Sequence, residues 1–425
     1  MAIYLGRAWN CRGYLHYIRE KNPADSPNTA AVKIPPSPPP SRLAPQISER
    51  FTALQSATFV GRENDLNQLS QKIQSKARLV LLYGLTGIGK TALAERMVEE
   101  INGWEKVVNE RLFMADFYKN ETRISFRDFA GQLIDGLGIE IHDPKIGQQA
   151  LRAALLHFLK KNRCFLLINS IEYLLVEHSQ QSSIVFKDRQ WDAFFRDICR
   201  ENTFRSVIIL TSQIKPDLFV DLDGRYASVY QNLLSGLPTE ASLALFRKRG
   251  IVVEKNSSAE RYLTRIVTVF AGHPLALETI AGEVLEDDER SVEAFWNRNE
   301  EEIITAEQSR TNASGQQNPA IAIHQLVQEH LTRRIRNTFE RLKTANYQAF
   351  RILLAIARYP TLHRAMLLDL CHNRLHFSEE DTRIAINTLT RRFLLSKKAA
   401  QYHQHDLIRS MSFYYRKKLQ RGPQN

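Results

Sequence analysis

The stretch from Arg78 to Met97, RLVLLYGLTGIGKTALAERM, constrains this chain more than any other. Its first six residues form an apolar run rich in Val and Leu that ends abruptly in glycine, the pattern of a fully buried strand. Gly84, Gly89, Lys90 and Thr91 then match the spacing G-x-x-x-x-G-K-[ST], with a further glycine at Gly87. After Lys90 the apolar residues Leu93, Ala94, Met97 and Val98 recur at helical spacing, so the order is strand, glycine loop, helix. Glycines let such a loop bring several backbone N–H groups to one point, and the following helix aims the positive end of its dipole at the same place. A triphosphate is the ligand this predicts. Gly84, Gly87, Gly89 and Ala92 surround it, Lys90 reaches its β and γ oxygens, and the Thr91 hydroxyl holds Mg²⁺. An ordinary glycine turn in an α/β unit is the bland alternative.

Four further runs read as buried strands: Arg111 to Phe117, Cys164 to Asn169, Ser206 to Thr211 and Ser228 to Leu234. Helical patterns fall between them, near 88–101, 124–137, 147–161 and 190–200. Strands alternating with helices predict a doubly wound parallel sheet, which binds ligands beyond the carboxyl ends of its strands. The run from Cys164 is the one expected to carry an acidic residue beside the glycine loop. It ends instead in Asn169 and Ser170, with Glu172 the nearest carboxylate, so metal support is predicted to be weak. Thr211 and Ser212 close the next strand, where hydroxyls either sense a γ-phosphate or simply cap the strand end.

After Leu234 the pattern turns helical. In AGHPLAL, Gly272 stops one helix and Pro274 suits the first turn of the next. GQQNP, from Gly315 to Pro319, is a polar break. From about 331 the tail reads as three helices and a small hairpin, a winged helix, with Ser378 capping the third helix. Positive charge is concentrated there: residues 331–425 carry 19 Lys and Arg against 6 Asp and Glu, whereas the rest of the chain is nearly balanced. The asymmetry points to an acidic partner, DNA first, unless the basic face packs against the same protein. At the other end, IPPSPPPSRLAP predicts an extended spacer, and residues 1–50 are expected to be flexible. No run is long and apolar enough to span a membrane, and the first residues lack a signal-peptide core, so a cytoplasmic location is expected. The expected domains are therefore 1–50, 51–235, 236–330 and 331–425.

Taken in order, FVGRE, GLTGIGKT, the degenerate acidic strand, LTSQ, GHPLAL and HDLIR resemble the STAND class of P-loop ATPases, specifically the NB-ARC type. The resemblance covers roughly residues 55–415 and rests on the combination, the glycine loop alone being generic. It implies an α/β P-loop domain, an all-α subdomain and a C-terminal winged helix that together bind ATP or ADP with Mg²⁺. By the same resemblance, Val60 and Arg62 lie along the adenine, Pro274 packs on the base, and His405 reaches the β-phosphate of ADP to latch a closed state. Members are similar to slow switches, closed with ADP, opened and self-associating with ATP, and coupled to an effector in signalling or defence.

Three departures matter. Asn169 stands where the family has aspartate, Gln213 where T-[ST]-R usually ends in arginine, and Gln404 where methionine precedes His405 and Asp406. The first two predict tight binding with poor hydrolysis, and any catalysis falls to Lys90 and Glu172. Sensor repeats and an effector are not visible in this sequence, which leaves a shortened gene or separate sensor and effector chains as the expectation. The alternative function is a DNA-binding regulator whose basic winged helix is gated by nucleotide.

Overall fold

A computed structural model describes residues 59–105, 112–117, 125–136, 147–178, 183–201, 203–286, 290–315, 319–359, 362–398 and 401–420. The spacer and the flexible segment expected over 1–50 lie outside the described residues. Helix α1 (Glu63–Ser75) leads into strand β1 (Leu79–Tyr83), and helix α2 (Lys90–Glu105) follows the glycine loop. Next come β2 (Leu112–Asp116), α3 (Phe126–Gly136), α4 (Gln148–Lys161) and β3 (Phe165–Asn169). A hairpin of β4 (Leu175–His178) and β5 (Ser183–Phe186) precedes α5 (Arg189–Arg200), β6 (Val207–Ser212), α6 (Asp217–Asp221) and β7 (Val229–Leu233). The five strands read from the sequence are all present, shifted by a residue at their ends. The hairpin was hidden because its first strand continues the apolar run of β3.

These five strands form one parallel sheet in the order β2-β3-β6-β1-β7. Strands β1, β3 and β6 are buried on both faces, which is why they read as unbroken apolar runs. Their side chains nonetheless alternate between two cores. Leu79, Leu81, Leu166 and Ile208 pack with the aromatic residues of α3 and α5, among them Phe126 and Trp191, whose rings meet edge to face at 5.2 Å. Val80, Leu82, Leu167 and Ile209 pack on the other side with Leu69, Leu93 and Met97 of α1 and α2. The strand order reverses on either side of β1, so the glycine loop at its carboxyl end opens at the point where such sheets place ligands.

The helical region contains α7 (Thr239–Lys248), α8 (Ser258–Val269), α9 (Pro274–Glu286), α10 (Val292–Ser314) and α11 (Pro319–Ala345). Pro274 opens α9 and Pro319 opens α11, positions where a missing N–H costs nothing. The expected division at 330/331 falls inside α11, because the polar break that suggested it lies a dozen residues earlier, where α11 begins. Beyond it lie α12 (Tyr347–Ile356), β8 (Leu362–His363), α13 (Arg364–Asp369), α14 (Glu379–Arg391), β9 (Ser396–Lys398), β10 (Gln401–His403) and α15 (Asp406–Gln420). The three short strands form an antiparallel sheet in the order β8-β10-β9. Ser378 caps α14 by accepting from the Asp381 N–H at 3.0 Å, a contact worth about 1 kcal/mol.

One continuous core runs from Leu237 and Phe246 through Phe295 and Phe339 to Tyr415, so the helical region and the C-terminal unit are packed together. They come close at Gly282 of α9. A Cβ there would lie 2.8 Å from the Arg392 carbonyl oxygen. Glu286, one turn on, pairs with the Arg392 side chain. Arg249 of the helical region pairs with Glu278 and stands over the Phe393 ring at 4.2 Å. Gly282→Val is accordingly expected to force α9 and the end of α14 apart and to cost about 1–3 kcal/mol. Chemical denaturation with limited proteolysis between 346 and 420 checks this, and unchanged stability would sink it.

Candidate functional site

The site begins with a shape problem. Gly84, Gly87 and Gly89 all have positive φ, at 143°, 85° and 102°, so the loop adopts a path that side chains rarely follow. Among described residues it is held by neighbours on three sides. Arg62, 5% exposed, reaches in from the turn before α1 and donates from Nη2 to the carbonyls of Ile88 (2.8 Å) and Ser235 (2.7 Å), with Asp65 at 3.1 Å balancing its charge. His273, just before α9, meets the Thr86 carbonyl through Nε2 at 3.0 Å, and the Leu275 N–H donates to the Gly87 carbonyl at 3.4 Å. Gly87 is glycine for room as well as for φ, since a Cβ would stand 2.8 Å from Leu275 and 3.0 Å from the His273 ring.

Lys90 opens α2 and folds back, donating from Nζ to the carbonyls of Gly84 and Leu85, each at 2.9 Å. Burial pulls its ammonium down to about 8, against the support of the Glu172 and Asp406 carboxylates. Thr91 is half-buried and Ala92 exposed in the first turn of α2, where backbone N–H groups have no helical partner. A polyanion arriving at this turn meets donors and a cation already in place.

The carboxyl ends of β3 and β6 face each other beside the loop. Asn169 is buried, and its Oδ1 accepts from the Thr211 hydroxyl at 3.1 Å, while that hydroxyl accepts from the Ser170 N–H at 3.1 Å. The Thr211 hydroxyl therefore joins two strands. Ser170 takes a left-handed conformation and turns the chain so that Glu172 comes back toward the loop. Its carboxylate accepts from the Gln213 N–H at 3.3 Å, and burial raises its pKa while Lys90 acts in the opposite direction. The donor set fits Mg²⁺ only in part: among described residues there is no cluster of three carboxylate, His or Cys side chains, and the Thr91 hydroxyl at the start of α2 is the group that would hold it.

Residues far apart in sequence complete the wall. Val60 is partly buried against the helical core, and the turn at Gly61 sits directly on Ala241 of α7. Pro274 follows His273, so the proline that the resemblance assigns to the base and the loop-contacting histidine are neighbours. His405, from the turn before α15, accepts the Leu407 N–H through Nδ1 at 3.3 Å. Its imidazole is held down to about 4, by burial first, with Glu278 raising it and the nearby Lys90 lowering it further. His273 is held down to about 3 by burial and then by His405. Lys90, His273 and His405 thus share one electrostatic environment although more than three hundred positions separate the first from the last. His273 escaped sequence reading because its neighbour Pro274 carried the resemblance. Its signal was a histidine between a stop glycine and a helix-opening proline.

The profile of the AAA domain family matches residues 72–216, the span of the sheet from the end of α1 to just beyond β6. The chain is 22% identical over 355 residues to an uncharacterized WD repeat-containing protein of Nostoc sp., a match covering 82% of this chain and 26% of the relative. Among solved structures it resembles a STAND protein with a tetratricopeptide repeat sensor from Pyrococcus horikoshii, at a TM-score of 0.51 and 17% identity, over 84% of this chain and 42% of that one. The chain therefore spans less than half the length of both. The ORC2 protein of Aeropyrum pernix aligns over 86% of this chain and 98% of its own, at a TM-score of 0.38 and 11% identity, too loose a likeness to argue from. No described helix is long and apolar enough to cross a membrane. Glycine loop, sheet order and the profile match over residues 72–216 agree on a P-loop NTPase domain within this chain.

Proposed function

We propose that this protein is a nucleotide-operated switch of the NB-ARC type, closed with ADP and opened with ATP. The observation that carries this reading is the convergence on Lys90 of residues from three parts of the chain, Glu172, His273 and the pair His405–Asp406. A β-phosphate at the glycine loop would meet Lys90 and the field of these residues, since each acts on Lys90 or on the loop itself. Removing or adding a phosphate there changes what holds the parts together, which is the requirement for a ligand to shift a conformational equilibrium. In this reading residues 51–235 form the ATPase domain, the helices from 236 through α11 the helical subdomain, and the elements beyond α11 a winged helix. Val60, Arg62 and Pro274 flank the adenine, and His405 latches the diphosphate. The open form self-associates, and the sensor and effector act as partners, on separate chains or in further parts of a longer one.

Hydrolysis is slow in this reading. Asn169 offers no charge and its oxygen is already taken by Thr211, leaving Glu172 as the carboxylate nearest the loop. The second reading, DNA binding by the basic C-terminal unit, is favoured by its charge and opposed by its geometry. Helix α14, the one placed to enter a groove, begins with Glu379, Glu380 and Asp381. Arg383 is paired on the surface with Glu380 at 3.1 Å, and Arg392, which caps the helix, is drawn onto Glu286 of the helical region.

Mass spectrometry of what the purified protein releases on denaturation is expected to identify ADP. Sedimentation with ADP and with a non-hydrolysable ATP analogue is expected to show a compact monomer and a larger species, and identical compact monomers would reject the switch. Lys90→Ala is expected to weaken ADP binding roughly tenfold to a hundredfold with the fold intact by circular dichroism, the worth of one or two charge-assisted hydrogen bonds. Asn169→Asp is expected to raise turnover about tenfold or more by restoring a carboxylate for the metal. Unchanged turnover would mean that Asn169 is not what limits the natural chain.

A pH dependence follows from the two histidines. Both are neutral in the closed arrangement, with pKa values near 3 and 4, and both return toward about 6.5 when the pocket opens to water. Closure is then fully favoured above pH about 6.5 and loses roughly a factor of ten per pH unit per histidine below it. Lys90 stays charged throughout that range, while Glu172, raised by burial, works in the opposite direction. The nucleotide-free protein is expected to expand between pH 7 and 5 by sedimentation, and a constant sedimentation coefficient would contradict this.

A further inference from the structure

We infer that His273 is a positioning residue for the phosphate loop, orienting the Thr86–Gly87 peptide so that its N–H is available to a bound phosphate. The inference rests on the nucleotide reading above and extends it to a residue with no role there beyond its charge. The geometry fixes the ring's chemistry. A backbone carbonyl can only accept, so Nε2, 3.0 Å from the Thr86 oxygen, carries the proton. Nδ1 accepts from the Ala276 N–H at 3.3 Å, so it carries none. One neutral tautomer satisfies both contacts, and the ring is buried at 1% exposure, which leaves it no room to turn.

The consequence lies in the planarity of the peptide bond. In a trans peptide the C=O of one residue and the N–H of the next point in opposite directions. Drawing the Thr86 carbonyl toward His273 therefore turns the Gly87 N–H away from the helical region. The Leu275 N–H does the same to the next peptide by holding the Gly87 carbonyl at 3.4 Å. Gly87 has φ 85° and no side chain with which to hold that orientation itself. Both contacts come from the segment that opens α9, so the orientation of the loop's peptides depends on the helical region staying docked against it. The loop is then pre-shaped for phosphate only while the segment that opens α9 stays docked against it.

The test compares His273→Gln, which keeps a side-chain N–H donor at a reach similar to Nε2, with His273→Leu, which keeps bulk and loses the donor. Two readouts are taken on the full chain, the Kd for ADP and amide hydrogen exchange over residues 84–91 without ligand. The leucine variant is expected to bind ADP about fivefold more weakly and to exchange about fivefold faster in the loop, the worth of one hydrogen bond, with glutamine restoring both to within about twofold. Glutamine as impaired as leucine, or leucine indistinguishable from the natural chain, would overturn the inference. If the natural chain binds no ADP, the nucleotide reading fails, while loop exchange still decides the role of His273. Should the leucine variant not fold, His273→Asn takes its place: its shorter amide stops short of the Thr86 carbonyl, so it is expected to match the predicted leucine values.

Discussion

A loop built from three glycines at positive φ cannot hold its own shape, and the rest of this molecule is arranged around that deficiency. Its carbonyls are gripped from outside by the Arg62 guanidinium, the His273 ring, the Leu275 N–H and the Lys90 ammonium. The grips come from three elements. The turn before α1, the opening of α9 and the first residue of α2 thereby become parts of one object. The buried arginine is tolerable because two carbonyls and Asp65 replace the water it loses, at separations where charge-assisted hydrogen bonds are strong.

The same arrangement explains why the C-terminal unit is basic without being an evident nucleic-acid surface. Arg392 is drawn inward onto Glu286, and Arg334 and Arg341 of α11 converge on the buried carboxylate of Glu283 at 3.0 and 3.1 Å. Part of the positive charge that stands out in the sequence is thus answered by glutamates of the helical region. The imbalance is a property of where the chain is divided as much as of any partner.

The sheet and the loop were legible because their signals are local. Unbroken apolar runs such as LVLLY and VIILTS report burial on both faces, and glycine spacing reports a backbone path. Ser378 announced its helix for the same reason, since a cap acts within three residues. What the sequence hid depends on separation. That Thr211 spends its hydroxyl on Asn169, or that His273 finds a carbonyl 187 positions away, is decided by packing alone. The β4–β5 hairpin was invisible for a third reason: its strands are four residues long, and the first merges with the run before it.

Helix α11 carries a mechanical implication. Its 27 residues form a rod of about 40 Å that begins in the helical region and ends against the C-terminal unit, passing through the position where a division was expected. A rod cannot fold in the middle without losing backbone hydrogen bonds, so any swivel of the C-terminal unit has its pivot at the rod's far end. Asn346 stands there, its side chain accepting the Ala349 N–H at 2.9 Å to start the next helix. A hinge set at one end of a long strut converts a modest rotation of backbone angles at one residue into a wide sweep of everything beyond it.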